Sequence, residues 1–120
     1  MIIPEKVFIA GMEVKVIIVP EFNKNKGYAG YCDYAKQTIY LAGDVSQQTK
    51  EVSLIHEILH YVLFVMGEDK LRKSERFVDL LAHFIHQTNQ SLLTLKGTDN
   101  GTAENQAGIW EDNTEILPGH

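Results

Sequence analysis

The sequence predicts an α+β fold in which a small antiparallel sheet packs on two antiparallel helices. β-Branched residues dominate short runs in the first forty positions, and helical apolar spacing extends over two later segments. Two or three residues separate these later segments. A chain of 120 residues has room for one compact domain. We therefore expect one domain over residues 1–96, with the strands before the helices.

The first two strands should form a hairpin. Residues 6–10 and 13–19 are rich in valine and isoleucine, as strands commonly are. Gly11-Met12 separates the two runs and suits a tight turn. Pro20 ends the second run because proline cannot donate a ladder hydrogen bond.

A second hairpin should follow a polar loop. The loop covers residues 21–30 and contains asparagines and glycines. Residues 31–34 and 38–42 then alternate aromatic and β-branched side chains around a turn at 35–37. We expect residues 38–42 to form the edge strand that borders a cleft, on which an extended peptide could add as a further strand.

Two helices should complete the domain. The first begins near Ser46, whose hydroxyl can cap it, and runs through Met66 to a terminal glycine at Gly67. The second begins after Asp69 and continues to about Gln90, with apolar residues at helical spacing. Because the connection is short, the two helices should lie antiparallel and in contact.

The composition limits the partners and the compartment. The net charge is −5 and the pI is near 5.4, which argues against a nucleic-acid partner. The longest apolar stretch is interrupted by charged and polar residues, so no membrane span is expected. The N-terminus shows no secretory signal, and Cys32 is the single cysteine, so we expect a cytoplasmic protein. Residues 97–120 are rich in Gly, Asn, Thr, Asp and Glu and should form a mobile tail.

The pattern His56-Glu57-Ile58-Leu59-His60 interrupts the otherwise apolar first helix. Residues four apart share a helix face, so both imidazoles can bind one metal ion. Burying these groups is costly unless a partner such as a metal satisfies them. Zinc lowers the pKa of water, and the adjacent Glu57 can take the proton. The motif thus predicts a Zn²⁺ site with Glu57 as general base; the alternative is two half-exposed histidines and a solvated glutamate.

A catalytic zinc site needs a third protein ligand. A metzincin would have glycine at Leu63 and histidine at Met66, so that arrangement is excluded. The second helix offers Glu75 and Asp79 instead, four apart and therefore on one face.

The level of these two carboxylates follows from the antiparallel arrangement. If the chain folds back near residue 68, Glu75 is level with His60 and Asp79 with His56. Glu75 can then complete the metal site, and Asp79 can accept a hydrogen bond from the other ring nitrogen of His56. The alternative is that both are solvated acids on the surface of the helix.

The two motifs together resemble those of the gluzincin metallopeptidases. This resemblance implies that Glu75 is the third zinc ligand and that Asp79 supports His56. The short spacing and the N-terminal β-layer look like the small phage and bacterial zincins, including minimal gluzincins and ImmA/IrrE-type peptidases. The resemblance covers about residues 1–92. It implies a zinc-dependent peptidase that acts on an intracellular protein or peptide.

Further residues are candidates for other roles. His83 and His86 are most simply surface or hinge histidines; the alternatives are a second metal site or a stabiliser of an oxyanion over the zinc. Each of four tyrosines could donate to a tetrahedral intermediate or pack in the sheet: Tyr28, Tyr31, Tyr34 and Tyr40. The alternative function for the whole chain is a zincin-like module that binds zinc and a protein partner without hydrolysis.

Overall fold

Four strands and four helices make up the part of the chain that the structure describes. The structure is a computed structural model that describes residues 2–98, with side chains as far as Leu93. The elements are β1 (Lys6–Ile9), β2 (Met12–Val19), α1 (Phe22–Lys26), β3 (Gly30–Asp33), β4 (Thr38–Ala42), α2 (Gln47–Met66), α3 (Asp69–Lys73) and α4 (Glu75–Thr98). The chain up to His86 forms one compact unit, and the rest of α4 belongs to a second unit. Residues 97 and 98 of the predicted tail belong to α4, and the rest of it, from position 99 onward, lies outside the described residues.

The sheet has the strand order β1-β2-β4-β3. β1 with β2 and β3 with β4 form the two predicted antiparallel hairpins. β2 and β4 pair in parallel, with Lys15 opposite Thr38 and Val19 opposite Ala42. The α+β class is therefore confirmed, but the sheet is mixed and the prediction of a wholly antiparallel sheet is wrong. Strand propensity defines each hairpin without specifying which of its strands will meet the other hairpin.

The edge strand next to α2 is β3, and the prediction that residues 38–42 form the edge is wrong. After β2 the chain passes through α1 and forms β3 at the edge of the sheet. β4 then takes the position between β2 and β3. The burial pattern agrees with this order, because four of the five residues of β4 are buried. A strand with a neighbour on each side is covered more completely than an edge strand.

The predicted ends of α2 are confirmed. The hydroxyl of Ser46 accepts a hydrogen bond from the Thr49 amide at 3.1 Å, and Gly67 ends the helix with a φ of 74°. One face of α2 packs on the sheet and buries Leu54 and Tyr61 to 2% exposure. The buried residues of this core are Ile9, Val14, Val16, Cys32, Ile39, Leu41, Leu54 and Tyr61.

The predicted second helix is broken at Ser74, so that α3 and α4 take its place. Ser74 is extended, with φ −82° and ψ 92°. Its hydroxyl accepts a hydrogen bond from the Phe77 amide at 3.3 Å, as an N-cap does. The apolar spacing continues across this break, which explains why the sequence predicts one helix.

α2 and α4 run antiparallel within the compact unit. Glu51, near the start of α2, contacts His86, which lies well along α4. His60, farther along α2, contacts Glu75 at the start of α4.

The described helices include none with the length and hydrophobicity that a membrane span requires.

Candidate metal centre

The two histidines of the motif face each other on α2. His56 and His60 lie one turn apart, and their Nε2 atoms are 3.0 Å apart. Their side chains are 16% and 12% exposed, so both imidazoles are recessed from the surface. The packing of Leu54 and Tyr61 in the core fixes the rotation of the helix that presents them. The spacing thus brings two nitrogen donors to one point, as the sequence predicts.

Glu75 brings a carboxylate to the same point from the first residue of α4. Its Oε2 is 3.1 Å from His56 Nε2, and its Oε1 is 3.0 Å from His60 Nε2. The break at Ser74 contributes directly, because α4 begins at Glu75 instead of continuing the line of α3. The three residues predicted to bind zinc therefore lie together.

The chemistry of these three donors fits a zinc ion. Their ligand atoms all lie within 4.8 Å of one another. Donors around tetrahedral zinc, each about 2.0–2.1 Å from the metal, are roughly 3.3 Å apart, close to the separations found here. If both imidazoles instead donate a proton to Glu75, the two Nε2–H groups lie 3.0 Å apart and repel each other. A metal cation in place of the two protons removes this repulsion. Two nitrogens with a carboxylate are also a typical zinc donor set.

Each imidazole also has a neighbour outside the three-donor group. His56 Nδ1 is 3.6 Å from Asp79 Oδ1, at the level that the antiparallel arrangement predicts. The His60 imidazole lies beside the backbone of Arg72 near the end of α3. Burial lowers the pKa of His60 below its ordinary value, although the carboxylate of Glu75 opposes this shift. Neutral imidazoles with such neighbours are the form that binds a metal.

Glu57 lies beside the three donors and lines the same cleft, which has a volume of about 440 Å³. The residue is 7% exposed. The thiol of Cys32 on β3 donates to its backbone carbonyl oxygen at 3.1 Å. Burial raises the pKa of the Glu57 carboxyl, and His56 partly opposes this effect. A raised pKa suits a group that has to take up a proton near neutral pH.

β3 passes directly beside the Glu57 carboxylate because residue 30 is a glycine. A Cβ added at Gly30 would be 3.1 Å from Glu57 Cγ and 3.2 Å from its Oε2. Contacts this short require one of the neighbours to move. The role of Gly30 cannot be recognised from the sequence, because a glycine at the junction of a loop and a strand has the pattern of an ordinary turn.

Two of the four candidate tyrosines line the cleft. Tyr28 and Tyr31 line the cleft. Tyr34 stacks on Phe64 with ring centroids 4.2 Å apart, and Tyr40 stacks beside Tyr31 at 6.4 Å. Tyr28 and Tyr31 are thus the tyrosines placed near the donors.

The two later histidines lie away from the cleft lining. His83 is exposed, and its Nδ1 donates to the backbone oxygen of Asp79 at 2.8 Å. His86 is only 6% exposed, and its Nε2 is 2.8 Å from Glu51 Oε1. A surface location is therefore wrong for His86. In the described part of the chain, the group on α2 and α4 is the one cluster with the geometry to hold a metal.

Comparison with protein families, curated proteins and solved structures finds no match for this chain. Its function therefore has to be inferred from the residues of the cleft.

Proposed function

We propose that this chain is a zinc-dependent peptidase with a small zincin-like fold. His56, His60 and Glu75 hold the zinc, Asp79 supports His56, and Glu57 is the general base. The single observation that carries the proposal is the buried carboxylate of Glu57 beside the three donors in one cleft. A site of this composition is suited to hydrolysis of an amide bond by water.

The reaction follows from the placement of Glu57. Zinc in this site supplies Lewis acidity, which favours attack of water on a carbonyl carbon. Glu57 accepts a proton from the attacking water and delivers it to the leaving amine nitrogen as the C–N bond breaks. Its burial beside the three donors supports this role, because the group must exchange a proton with the reacting atoms inside the cleft.

The edge strand supports a peptide as the substrate. Ala42 donates its amide to the carbonyl of Ala29 at 2.8 Å, so alternate residues from position 29 pair with β4. The amide and carbonyl groups of Gly30 and Cys32 therefore point away from β4, toward the edge where β3 has no strand neighbour among the described residues. An extended peptide can pair with these groups as an added strand and lie along the cleft.

Glu57 also favours the peptidase over a non-catalytic zinc module. A structural zinc site is closed by four protein ligands, whereas three donors come together here. A buried carboxylate next to them has no purpose in a site that only stabilises the fold. The substrate we propose is a protein in the cytoplasm, in keeping with the buried free thiol of Cys32.

The proposal is tested by elemental analysis of the purified protein and by a cleavage screen. Zinc should be present at about one equivalent per chain, as one three-donor group requires. A library of proteome-derived peptides, read by mass spectrometry, should show zinc-dependent cleavage that the Glu57→Gln variant lacks. Absence of bound zinc would refute the proposal, and equal cleavage by the variant would refute the mechanism.

A further inference from the structure

Arg72 connects the segment between α2 and α4 to the rest of the domain. Its guanidinium carbon lies 5.9 Å from the ring centroid of Tyr34 and 5.8 Å from that of Phe64. Those two rings stack on each other at 4.2 Å with an angle of 15° between their planes. One cation therefore bridges the end of the β3–β4 hairpin, the last turn of α2, and α3.

The contacts of the Arg72 side chain restrict how it can move. Its terminal nitrogen is 3.4 Å from Asp69 Oδ1. Its Nε is buried and has no hydrogen-bond partner among the described residues. An unsatisfied buried donor is costly, so packing against the aromatic rings must offset that cost. Burial of part of a guanidinium fixes the backbone of α3 more firmly than an exposed arginine could.

The backbone of the same residue contacts the metal centre. The His60 imidazole lies beside the backbone of Arg72, and its Nε2 faces Glu75 and His56. Glu75 follows Arg72 by three residues, across the break at Ser74. Arg72 thus lies close to two of the three donors: its backbone is beside the imidazole of His60, and it precedes Glu75 by three residues.

We infer that Arg72 is a positioning residue that holds His60 and Glu75 in the geometry needed to bind zinc. This inference rests on the proposed zinc site and extends it to a residue outside the motifs. The guanidinium of Arg72 packs α3 against the aromatic rings, and the backbone of Arg72 lies beside the proposed ligand His60. Loss of the side chain should therefore weaken zinc binding without removing a ligand, as changes in the surroundings of metal ligands do.

The test compares Arg72→Met with Arg76→Met. Arg76 follows Glu75 and is exposed, so its variant controls for loss of a positive charge near the site. Competition with a chromophoric chelator should show zinc binding about tenfold weaker in Arg72→Met and unchanged in Arg76→Met. Arg72→Lys should be intermediate, because lysine keeps the charge but not the planar stacking surface.

Two further measurements separate positioning from general destabilisation. Val14→Ala, a core variant on β2, should lower the melting temperature and leave zinc affinity unchanged. In zinc-free protein, hydrogen exchange of the α3 amides should be faster in Arg72→Met than in Arg76→Met. Tight zinc binding by the unmodified protein with the same affinity in Arg72→Met would overturn this inference alone. No zinc binding by the unmodified protein would overturn it together with the proposed function.

Discussion

The carboxylate of Glu57 packs against the backbone of Gly30, with space for no side chain between them. A Cβ at position 30 would be 3.2 Å from Glu57 Oε2. The backbone of Gly30 does not have a positive φ, so the need for glycine here is one of space. Gly30→Ala should therefore fold, keep its zinc and displace the carboxylate by a few tenths of an ångström. We expect kcat to fall several-fold, since small misplacements of a catalytic group are costly. Unchanged kcat would show that Glu57 tolerates displacement.

Glu57→Gln separates catalysis from metal binding. The amide cannot accept a proton from water, so peptidase activity should fall by at least about a hundredfold. Zinc content and melting temperature should stay close to those of the unmodified protein, because Glu57 does not belong to the three-donor group. Loss of zinc or of folding in this variant would favour the non-catalytic module.

The two histidines should each be essential for zinc. His56→Ala or His60→Ala leaves two donors, which rarely hold zinc against water. Elemental analysis after dialysis at micromolar zinc should find each variant empty. Both variants should also lose the stabilisation that zinc gives the unmodified protein in a thermal melt. Full occupancy in either would place the metal elsewhere.

Glu75 and Asp79 should differ in their effect on zinc. Glu75→Gln removes a carboxylate that lies 3.0–3.1 Å from both imidazoles, so zinc affinity should fall strongly. Asp79→Asn changes a group 3.6 Å from His56 Nδ1, and the loss should be about 10- to 100-fold. Competitive chelator titration measures both. The reverse order would exchange their roles, and no effect from either would make both of them surface acids.

The buried pair of Glu51 and His86 should stabilise the fold. His86→Ala should lower the free energy of unfolding by roughly 2 kcal/mol, because it removes a buried hydrogen bond to a charged group. His83→Ala is the matched control on the same helix, and as an exposed change it should have little effect. Urea titrations of both variants give the comparison. Equal stability of the two would show that the buried pair contributes nothing.

The same pair predicts a pH dependence. The hydrogen bond from His86 holds the pKa of Glu51 below its ordinary value near 4.5. A depressed pKa in the folded state adds stability above that value, and this stability is lost as the pH falls through the folded pKa. Unfolding measured from pH 6 downward should therefore show a weaker pH dependence in His86→Ala than in the unmodified protein.

Local spacing accounts for the grouping of His56, His60 and Glu75. His56 and His60 share a face of α2 whatever the rest of the chain does. Residues 67–74, which include α3, form a connection short enough for α4 to return alongside α2, and this sets Glu75 level with His60. These relations depend on helix geometry and on a connection of few residues, and both can be read from the sequence.

Apart from the break at Ser74, the relations that the sequence does not reveal are non-local. Cys32 and Glu57 are 25 residues apart, and Glu51 and His86 are 35 apart. No periodicity encodes such contacts, which depend on how complete elements pack. The mixed sheet has the same origin: pairing of β2 with β4 joins two hairpins, each of which is locally consistent with either arrangement.

The three donors differ in their access to solvent, and this difference has a kinetic consequence. Glu75 has a side chain that is 71% exposed, whereas the imidazoles of His56 and His60 are recessed. We expect an incoming ion to meet Glu75 first, shed water there and pass inward to the nitrogens. The ion would leave by the reverse path, so that its bond to the Glu75 carboxylate would break last. A chelator would then have to approach from the rim of α4, so the rate of zinc exchange should depend on the side chain at position 75.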